Sequence, residues 1–359
     1  MADIRFGIIG CGKVGHFHAQ ALQAIKGARL VAACNHSKGK LDAFALKYGI
    51  HGYLSPEEMV EKERLDAVAI ATPHPSHADL AVRCMRLGCN VIIEKPLAVT
   101  LEECDRIVNT AKECHVLAGT LVQRRCYLPC RRIRQAIEEG RIGKPVLGEA
   151  VMLGWRSREY YKSDPWRGTF KGEGGGVLLT QASHQIDLLN WFMGSEVQSV
   201  CGIAANFNHP YIEVEDSAVA VIRYKSGGMA TLLASNSQNP ALYGRVHVFG
   251  DNGASLGVKT DGGAMFIAGV SEIEEPPETD IWTLKGEEGK LDELKKQDDQ
   301  EFAASTMITY HQKMLENFAK AVRGEEPLIA DAKAGREVIA ICQAVYSGKP
   351  WHASAAAQP

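Results

Sequence analysis

The sequence predicts an α/β protein of two domains: an N-terminal doubly wound parallel sheet, and a C-terminal α+β domain with a large, mostly antiparallel open sheet. The first observation is length, because 359 residues are more than a typical domain with a single core contains. The second is that short apolar strands alternate with amphipathic helices across residues 4–119, as in parallel sheets. The third is that residues 217–249 alternate apolar and polar side chains between glycine-containing turns. We expect the domains to comprise residues 1–121 and 122–359.

Composition argues against several classes of function. The formal net charge is −3, so the chain offers no basic field for nucleic acid or for an anionic membrane surface. No segment approaches the roughly 18 apolar residues of a membrane span, and the N-terminus enters a strand without a signal peptide. The ten cysteines are scattered and lack zinc-ligand spacing. We therefore expect reduced thiols, no bound metal and a cytoplasmic protein.

The first strand, residues 4–9, is followed at once by a G-x-G-x-x-G motif and then by a helix from about Val14 to Ile25. The apolar residues Val14, Phe17, Ala21 and Ile25 form one stripe of that helix. In this context the first glycine makes the turn, the second admits a pyrophosphate, and the third packs the helix on the strand. The N–H groups at the helix start bind the phosphates. The pattern predicts a Rossmann domain in which the cofactor contacts Gly10, Cys11, Gly12, Lys13, Val14 and Gly15.

The end of the second strand bears on the choice of cofactor. A carboxylate that would bind both ribose hydroxyls of NAD is expected there, but the chain has neutral Asn35. Its neutrality removes the charge that would repel a 2′-phosphate, and Ser37 and Lys38 can hydrogen-bond such a group. An amide can also hold a plain ribose, so NAD and NADP both remain open. We assign to the cofactor the four residues Asn35, His36, Ser37 and Lys38.

Two later strands of this domain end in polar turns. The strand at 67–71 runs into residues 72–77, and the strand at 90–93 runs into Glu94-Lys95-Pro96. Open α/β sheets bind ligands at the carboxyl ends of their strands, and Pro96 ends the strand so that Lys95 is presented outward. Taken alone, the second turn fits two ordinary solvated residues equally well. We expect cofactor contacts from Thr72, Pro73, His74, His77, Glu94, Lys95 and Gln123.

The second domain contains a segment with an unusual density of aromatic and basic residues. Residues 155–169 include two Trp, two Tyr and three Arg. Flat aromatic surfaces beside multidentate donors suit the stacking and hydrogen bonding of a polyhydroxylated ring. The alternative is a surface loop or a subunit contact. Together with Lys95, Thr180 and His184, the predicted substrate contacts are Arg125, Arg158, Tyr160, Tyr161, Trp166 and Arg167.

A glycine run at 172–176 precedes a predicted helix over 177–192. On that helix Thr180, His184 and Asp187 share one face, at i, i+4 and i+7. An isolated histidine on a helix is more often structural than catalytic, but here a carboxylate can orient the ring. The ordinary histidine pKa of about 6.5 lets His184 accept a proton near neutral pH.

The C-terminal third of the chain is less informative. Residues 269–300 are polar and predict a solvated excursion. Helices are predicted over 307–322 and 332–346, the second of which we expect to pack back on the first domain. Residues 354–359 are expected to be disordered.

The motifs at residues 10–15 (G-C-G-K-V-G), 71–77 (A-T-P-H-P-S-H) and 94–97 (E-K-P-L) together resemble the glucose–fructose oxidoreductase/inositol dehydrogenase family, Gfo/Idh/MocA. The resemblance covers nearly the whole chain. It implies NAD(P)-dependent oxidation of a secondary hydroxyl of a sugar, glycoside or polyol, with catalytic roles for Lys95 and His184. An X-Pro bond such as Lys95–Pro96 can be cis.

The chain departs from the family's pattern at one position. Many members have Asp four residues before the catalytic histidine, where this chain has Thr180, which can hydrogen-bond a substrate but is no base near neutral pH. The aromatic and arginine-rich segment is similar to that of members acting on pyranosides, some at C3. Members dimerise through the open sheet face, which implies a homo-oligomer.

Two other functions stay open. The first is a glycoside-cleaving enzyme of the same fold, which would form a transient keto-sugar, recycle its NAD and release free sugar with no net NADH. The second is a non-catalytic dinucleotide-binding regulator, although the presence of both Lys95 and His184 argues against it.

Overall fold

The computed structural model describes residues 3–260 and 276–348, and the backbone of residues 351–352. The chain divides into two compact units. Unit 1 comprises Met1–Cys126 and Ser305–Arg336, and unit 2 comprises Tyr127–Ala304 and Glu337–Pro359. The first change of unit lies close to the boundary that the sequence predicts after residue 121. Residues 305–336 return to unit 1, whereas the sequence predicts that only the helix over 332–346 packs back on the first domain.

Unit 1 is built on a parallel sheet. Its strands are β1 (Ile4–Ile9), β2 (Ala28–Cys34), β3 (His51–Tyr53), β4 (Ala67–Ile70), β5 (Asn90–Glu94) and β6 (Ala118–Leu121). Its helices in this part of the chain are α1 (Lys13–Ala24), α2 (Lys38–Tyr48), α3 (Pro56–Glu63), α4 (His77–Arg86) and α5 (Leu101–Glu113). The strand order is β3-β2-β1-β4-β5-β6. Strands β2 and β3 are added on one side of β1, and β4 to β6 on the other side, parallel to it, which confirms the predicted doubly wound sheet.

The central strands of this sheet are buried on both faces. Val91 and Ile93 of β5 have no exposed surface, and neither has any residue of β4. The buried side of α1 is formed by Gly15, His18, Ala19, Ala21 and Leu22. Val14 and Phe17, which the sequence predicts on that side, are only half-buried. The buried stripe is therefore rotated relative to the prediction, and a histidine lies at its centre.

Unit 2 is built on a mixed sheet. Its strands are β7 (Pro145–Leu153), β8 (Val197–Ala205), β9 (Ser217–Tyr224), β10 (Met229–Ser235), β11 (Tyr243–Gly250), β12 (Ser255–Thr260), β13 (Glu278–Trp282) and β14 (Trp351–His352). The order is β13-β12-β11-β7-β10-β9-β8-β14, in which β7 and β10 are parallel and the other neighbours antiparallel. This confirms the predicted antiparallel-rich sheet.

Among the described residues, six helices lie wholly within unit 2. They are α6 (Leu128–Glu138), α7 (Arg158–Lys162), α8 (Phe170–Glu173), α9 (Val177–Thr180), α10 (Ser183–Met193) and α11 (Leu291–Ala303). Of these, α10 packs on β7 and β11. Along β9, residues alternate between buried and exposed, so the other face of the sheet is left open.

Two predictions for unit 2 need correction. The single helix predicted over 177–192 is two helices, because the N–H of Ala182 donates to the Val177 carbonyl five residues back at 2.8 Å and so widens the turn. The segment 269–300, predicted as a solvated excursion, contains β13 and most of α11 in its described part, and residues 269–275 lie outside the described residues. Residues 354–359, predicted to be disordered, lie outside the described residues.

The last two helices are α12 (Met307–Val322) and α13 (Ala332–Ser347). In unit 1, α12 packs on α1, and Arg336 at the end of that unit's second segment pairs with Asp105 of α5. The element that returns to the first unit is thus mainly α12, whereas the sequence predicts the later helix. No helix in the described part of the chain is both long and apolar enough to cross a membrane.

Candidate cofactor and catalytic site

The three motif glycines have three different surroundings. Gly10 has a φ of +107°, and a Cβ there would lie 2.5 Å from the Ala71 carbonyl oxygen. A Cβ on Gly15 would lie 2.1 Å from the Gly10 carbonyl oxygen. Gly12 is exposed, and a Cβ there would meet no atom of the described residues within 4 Å. Gly10 and Gly15 are therefore required by the fold itself, whereas the space beside Gly12 is open.

The start of α1 suits a phosphate. Gly12 is its N-cap, and no side chain of the described residues caps it. The first N–H groups of a helix have no partner within the helix and attract anions. Lys13 is exposed beside them, Val14 is half-buried and Cys11 is buried. This end of unit 1 fits a dinucleotide.

The turn after β2 holds the residues predicted at the ribose. Asn35 is buried, and its amide donates to the Ser37 carbonyl at 3.2 Å. Lys38 is exposed and paired with Asp42 of α2 at 2.7 Å, while His36 is exposed and Ser37 half-buried. An exposed pair of this kind opens at little cost, so the arrangement suits NAD and NADP alike.

The turn after β4 is held by its own side chains and by His77. Thr72 and His74 are half-buried and Pro73 is exposed, and Ser76 Oγ lies 2.7 Å from Thr72 Oγ. His77 has no exposed surface, and its two ring nitrogens lie 2.9 Å from the Pro96 carbonyl oxygen and 2.8 Å from the Thr72 carbonyl oxygen. Burial lowers the pKa of His77. This placement does not fit the predicted contact between the imidazole and a cofactor.

The turn after β5 presents Lys95 as a half-buried residue, and the Lys95–Pro96 bond is cis. Glu94 points into unit 1: its Oε1 lies 2.8 Å from Nε2 of His18 and 3.7 Å from Nε2 of His311, and its Oε2 accepts from the Lys95 backbone N–H at 3.2 Å. We call Glu94, His18 and His311 the glutamate–histidine cluster. The carboxylate predicted at the cofactor is thus engaged inside the unit.

Electrostatics within this cluster keep Glu94 ionised. Burial raises the pKa of Glu94, but the hydrogen bond from His18 and the charges of His18, His311 and Lys95 outweigh that effect and lower it. Burial lowers the pKa of His311, whose Nδ1 lies 2.8 Å from the Met307 carbonyl oxygen. The three groups are close enough to hold a metal ion. However, the 2.8 Å contact between His18 and Glu94 has hydrogen-bond length, and we interpret the cluster as hydrogen-bonded.

Gln123 and Arg125 lie in a short 3₁₀ helix after β6, and both are buried. The Arg125 guanidinium donates to the Ile329 carbonyl at 2.7 Å, within unit 1. Of its five N–H donors, at least one therefore serves the fold.

In unit 2, hydrogen bonds hold part of the aromatic and arginine-rich segment in place. The Tyr160 hydroxyl accepts from Arg167 at 2.6 Å and from Gln181 at 3.0 Å, and the Tyr161 hydroxyl accepts from Asn236 at 3.4 Å. Burial raises the pKa of both tyrosines. The more accessible predicted substrate contacts are Arg158, which is exposed, and Trp166 and Arg167, which are half-buried.

Thr180, His184 and Asp187 are all buried. His184 and Asp187 lie one turn apart on α10, but Thr180 ends α9 and its hydroxyl donates to the Gly176 carbonyl at 2.7 Å. The predicted continuous face of three residues is therefore reduced to two, with His184 in the first turn of its helix.

The chain is similar to known oxidoreductases. Residues 4–120 match the family model described as an oxidoreductase family with an NAD-binding Rossmann fold, and residues 130–256 match the GFO/IDH/MocA C-terminal domain. The chain is 31% identical over 257 residues to the myo-inositol 2-dehydrogenase of Thermotoga maritima, covering 70% of this chain and 74% of that protein. It is 30% identical over 300 residues to the inositol 2-dehydrogenase of Rhizobium meliloti, covering 81% and 86%.

A solved structure is similar over almost the full length. The WlbA dehydrogenase from Bordetella pertussis, in complex with NADH and UDP-GlcNAcA, superposes with a TM-score of 0.84 at 26% sequence identity. The match covers 98% of both chains.

Proposed function

Because the chain belongs to the GFO/IDH/MocA oxidoreductase family, we propose that it oxidises a secondary hydroxyl of a sugar, glycoside or polyol by hydride transfer to NAD or NADP. The observation that carries this function is the carboxyl edge of the unit 1 sheet. There the open glycine turn after β1 and the Lys95 turn after β5 end strands that both neighbour β4. A nucleotide site and a substrate amine thus belong to the same edge.

Several relatives support the class of substrate. The two curated relatives described above are named for oxidation of inositol, a polyol, and the similar WlbA structure was solved with NADH and UDP-GlcNAcA. A hydroxylated ring also suits the exposed Arg158 and the half-buried Trp166 and Arg167 of unit 2. We propose these three, with Arg125, Tyr160 and Tyr161, as substrate-recognition residues, and pyranose C3 as one position of oxidation.

The proposed mechanism divides the work between two side chains. Bound NAD(P)+ supplies the hydride acceptor. The Lys95 ammonium stabilises the negative charge that develops on the substrate oxygen, and His184 accepts the hydroxyl proton. The Thr180 hydroxyl donates a hydrogen bond to a backbone carbonyl and is no base near neutral pH. We therefore assign the proton acceptor to His184.

A substrate panel tests the proposal. Free sugars, glycosides and inositols are incubated with NAD and with NADP, and the absorbance of reduced nicotinamide is followed. A dehydrogenase gives substrate-dependent reduced cofactor. A glycoside-cleaving enzyme of this fold gives free sugar without net reduction, and a regulator binds NADH but oxidises no member of the panel. Either of the last two results contradicts the proposed function.

The glycines allow a matched test of the cofactor site. Gly12→Ala is expected to raise the cofactor Kd at least about tenfold and to cost about 1 kcal/mol or less in stability, because its Cβ meets no protein atom but narrows the approach of the pyrophosphate. Gly15→Ala is expected to lower the free energy of unfolding by about 1–3 kcal/mol, because its Cβ meets the Gly10 carbonyl. NADH titration and urea denaturation measure the two effects. Unchanged NADH binding by Gly12→Ala would exclude this glycine from the site.

We also propose that the open face of the unit 2 sheet joins two copies of the chain. Ile203, Val219, Val221 and Leu233 project from β8, β9 and β10 with 40–70% of their surface exposed. A contiguous exposed apolar patch commonly marks an interface. Val221→Glu is expected to convert dimers to monomers in sedimentation experiments. Leu46→Glu, on α2 and 86% exposed, is the control that keeps the dimer. An unaltered dimer in Val221→Glu would exclude this face.

Cytoplasmic localisation is part of the same proposal. All ten cysteines lie in the described part of the chain and none is in a disulfide. Burial raises the pKa of several of these thiols, which keeps them unreactive. Reduced cysteines, most of them buried, suit the reducing cytoplasm.

A further inference from the structure

His77 joins two turns that are distant in sequence. It is the first residue of α4 and has no exposed surface. Its Nε2 lies 2.8 Å from the carbonyl oxygen of Thr72, which follows β4, and its Nδ1 lies 2.9 Å from the carbonyl oxygen of Pro96, which follows Lys95. One buried ring therefore spans the backbone of the turn that presents Lys95 and the backbone of the neighbouring turn.

These two contacts need a side chain that carries N–H donors. A carbonyl oxygen only accepts, so each contact needs an N–H on the imidazole. The neutral ring, which burial favours, supplies one N–H and donates to one of the two carbonyls at a time, whereas the imidazolium supplies two. An apolar side chain of similar size would fill the space but would offer no N–H to either carbonyl.

We propose that His77 is a positioning residue of the dehydrogenase, which holds the Lys95 turn against the Thr72 turn and so fixes the Lys95 amine relative to the bound nicotinamide. The inference rests on the proposed function of Lys95. We expect a large effect on turnover when His77 is replaced, because catalysis is sensitive to geometry and a displacement of about 1 Å can lower turnover about 10²-fold. Loss of the link is expected to lower kcat more than it raises KM for either substrate.

Three substitutions separate this role from simple packing. His77→Leu removes both ring nitrogens and so leaves no N–H donor at this position. His77→Asn places an amide N–H near the position of Nδ1 and can still reach the Pro96 carbonyl. His77→Gln places one near Nε2 and can reach only the Thr72 side. We expect kcat to fall about 10- to 100-fold in His77→Leu and His77→Gln, and to be largely restored in His77→Asn. Equal losses in all three, in proportion to their loss of thermal stability, would overturn the proposal.

A double-mutant cycle with Lys95 completes the test. If His77 acts through Lys95, His77→Gln lowers the rate of wild-type enzyme but adds no further loss to Lys95→Ala. Additive losses would show that His77 acts elsewhere and would refute the positioning role. A Lys95→Ala variant with normal turnover would instead refute the proposed role of Lys95. The two failures therefore give different results, and the Asn/Gln comparison still applies if His77→Leu does not fold.

Discussion

Replacing Lys95 with alanine is expected to lower kcat by about 10²- to 10⁴-fold while NADH still binds, and His184→Ala is expected to do the same. Lys95 supplies the positive charge for the developing alkoxide, and His184 takes its proton, so each acts mainly in the transition state. A residue of this kind changes kcat and kcat/KM together and leaves cofactor affinity little altered. Steady-state rates with the best substrate of the panel and NADH titration measure the two quantities.

The controls for this prediction come from the same chain. Lys62→Ala removes an exposed lysine that pairs with Glu58 on α3, and it is expected to leave turnover unchanged. His184→Gln keeps the size and polarity of the side chain without its basicity, and it is expected to be nearly as impaired as His184→Ala. If Lys95→Ala and His184→Ala both turn over near the wild-type rate, the assignment of roles is wrong.

The parts of the fold that the sequence predicts are those with a strong local pattern. The β4 and β5 strands are short apolar runs bounded by turns, and α12 has the bounds that its amphipathic pattern predicts. The break between α9 and α10 was not predictable in this way. Gln181, at the break, bonds to Tyr160 and Asn236, which are distant in sequence. Tertiary contacts of this kind leave no periodic signal.

The candidate site likewise contains residues that a local pattern predicts and residues that it does not. Gly12 and Lys95 follow strands directly, so motif and position are enough to single them out. The sequence indicates neither His18 nor His311, because His18 lies beside the apolar stripe predicted for α1 and 76 residues separate it from Glu94. The only local signal was a histidine three residues after Gly15, on the buried side of α1. The sequence predicts Glu94 at the cofactor, because no residue near it in the chain indicates these two partners.

The same buried contact leads to the largest expected effect on stability. His18→Leu removes the donor 2.8 Å from the Glu94 carboxylate and leaves that charge buried without it. We expect the free energy of unfolding at neutral pH to fall by about 3 kcal/mol, since a hydrogen bond to a charge contributes about 1.5–3 kcal/mol and an uncompensated buried charge costs more. Urea denaturation followed by circular dichroism measures the change.

The pH dependence identifies Glu94 as the cause. The folded-state pKa of Glu94 is lowered below 4.5, so the contribution of this carboxylate to stability is present above that pH and is lost as pH falls through the folded pKa. Without His18 the effect of burial is less opposed, and the carboxyl takes up a proton at higher pH. The difference between wild type and His18→Leu should therefore be largest near neutral pH and shrink on acidification. In a Glu94→Gln background, where no charge is buried, His18→Leu should cost clearly less and show no such trend. An equal cost in both backgrounds at every pH would mean that His18 stabilises unit 1 by packing alone.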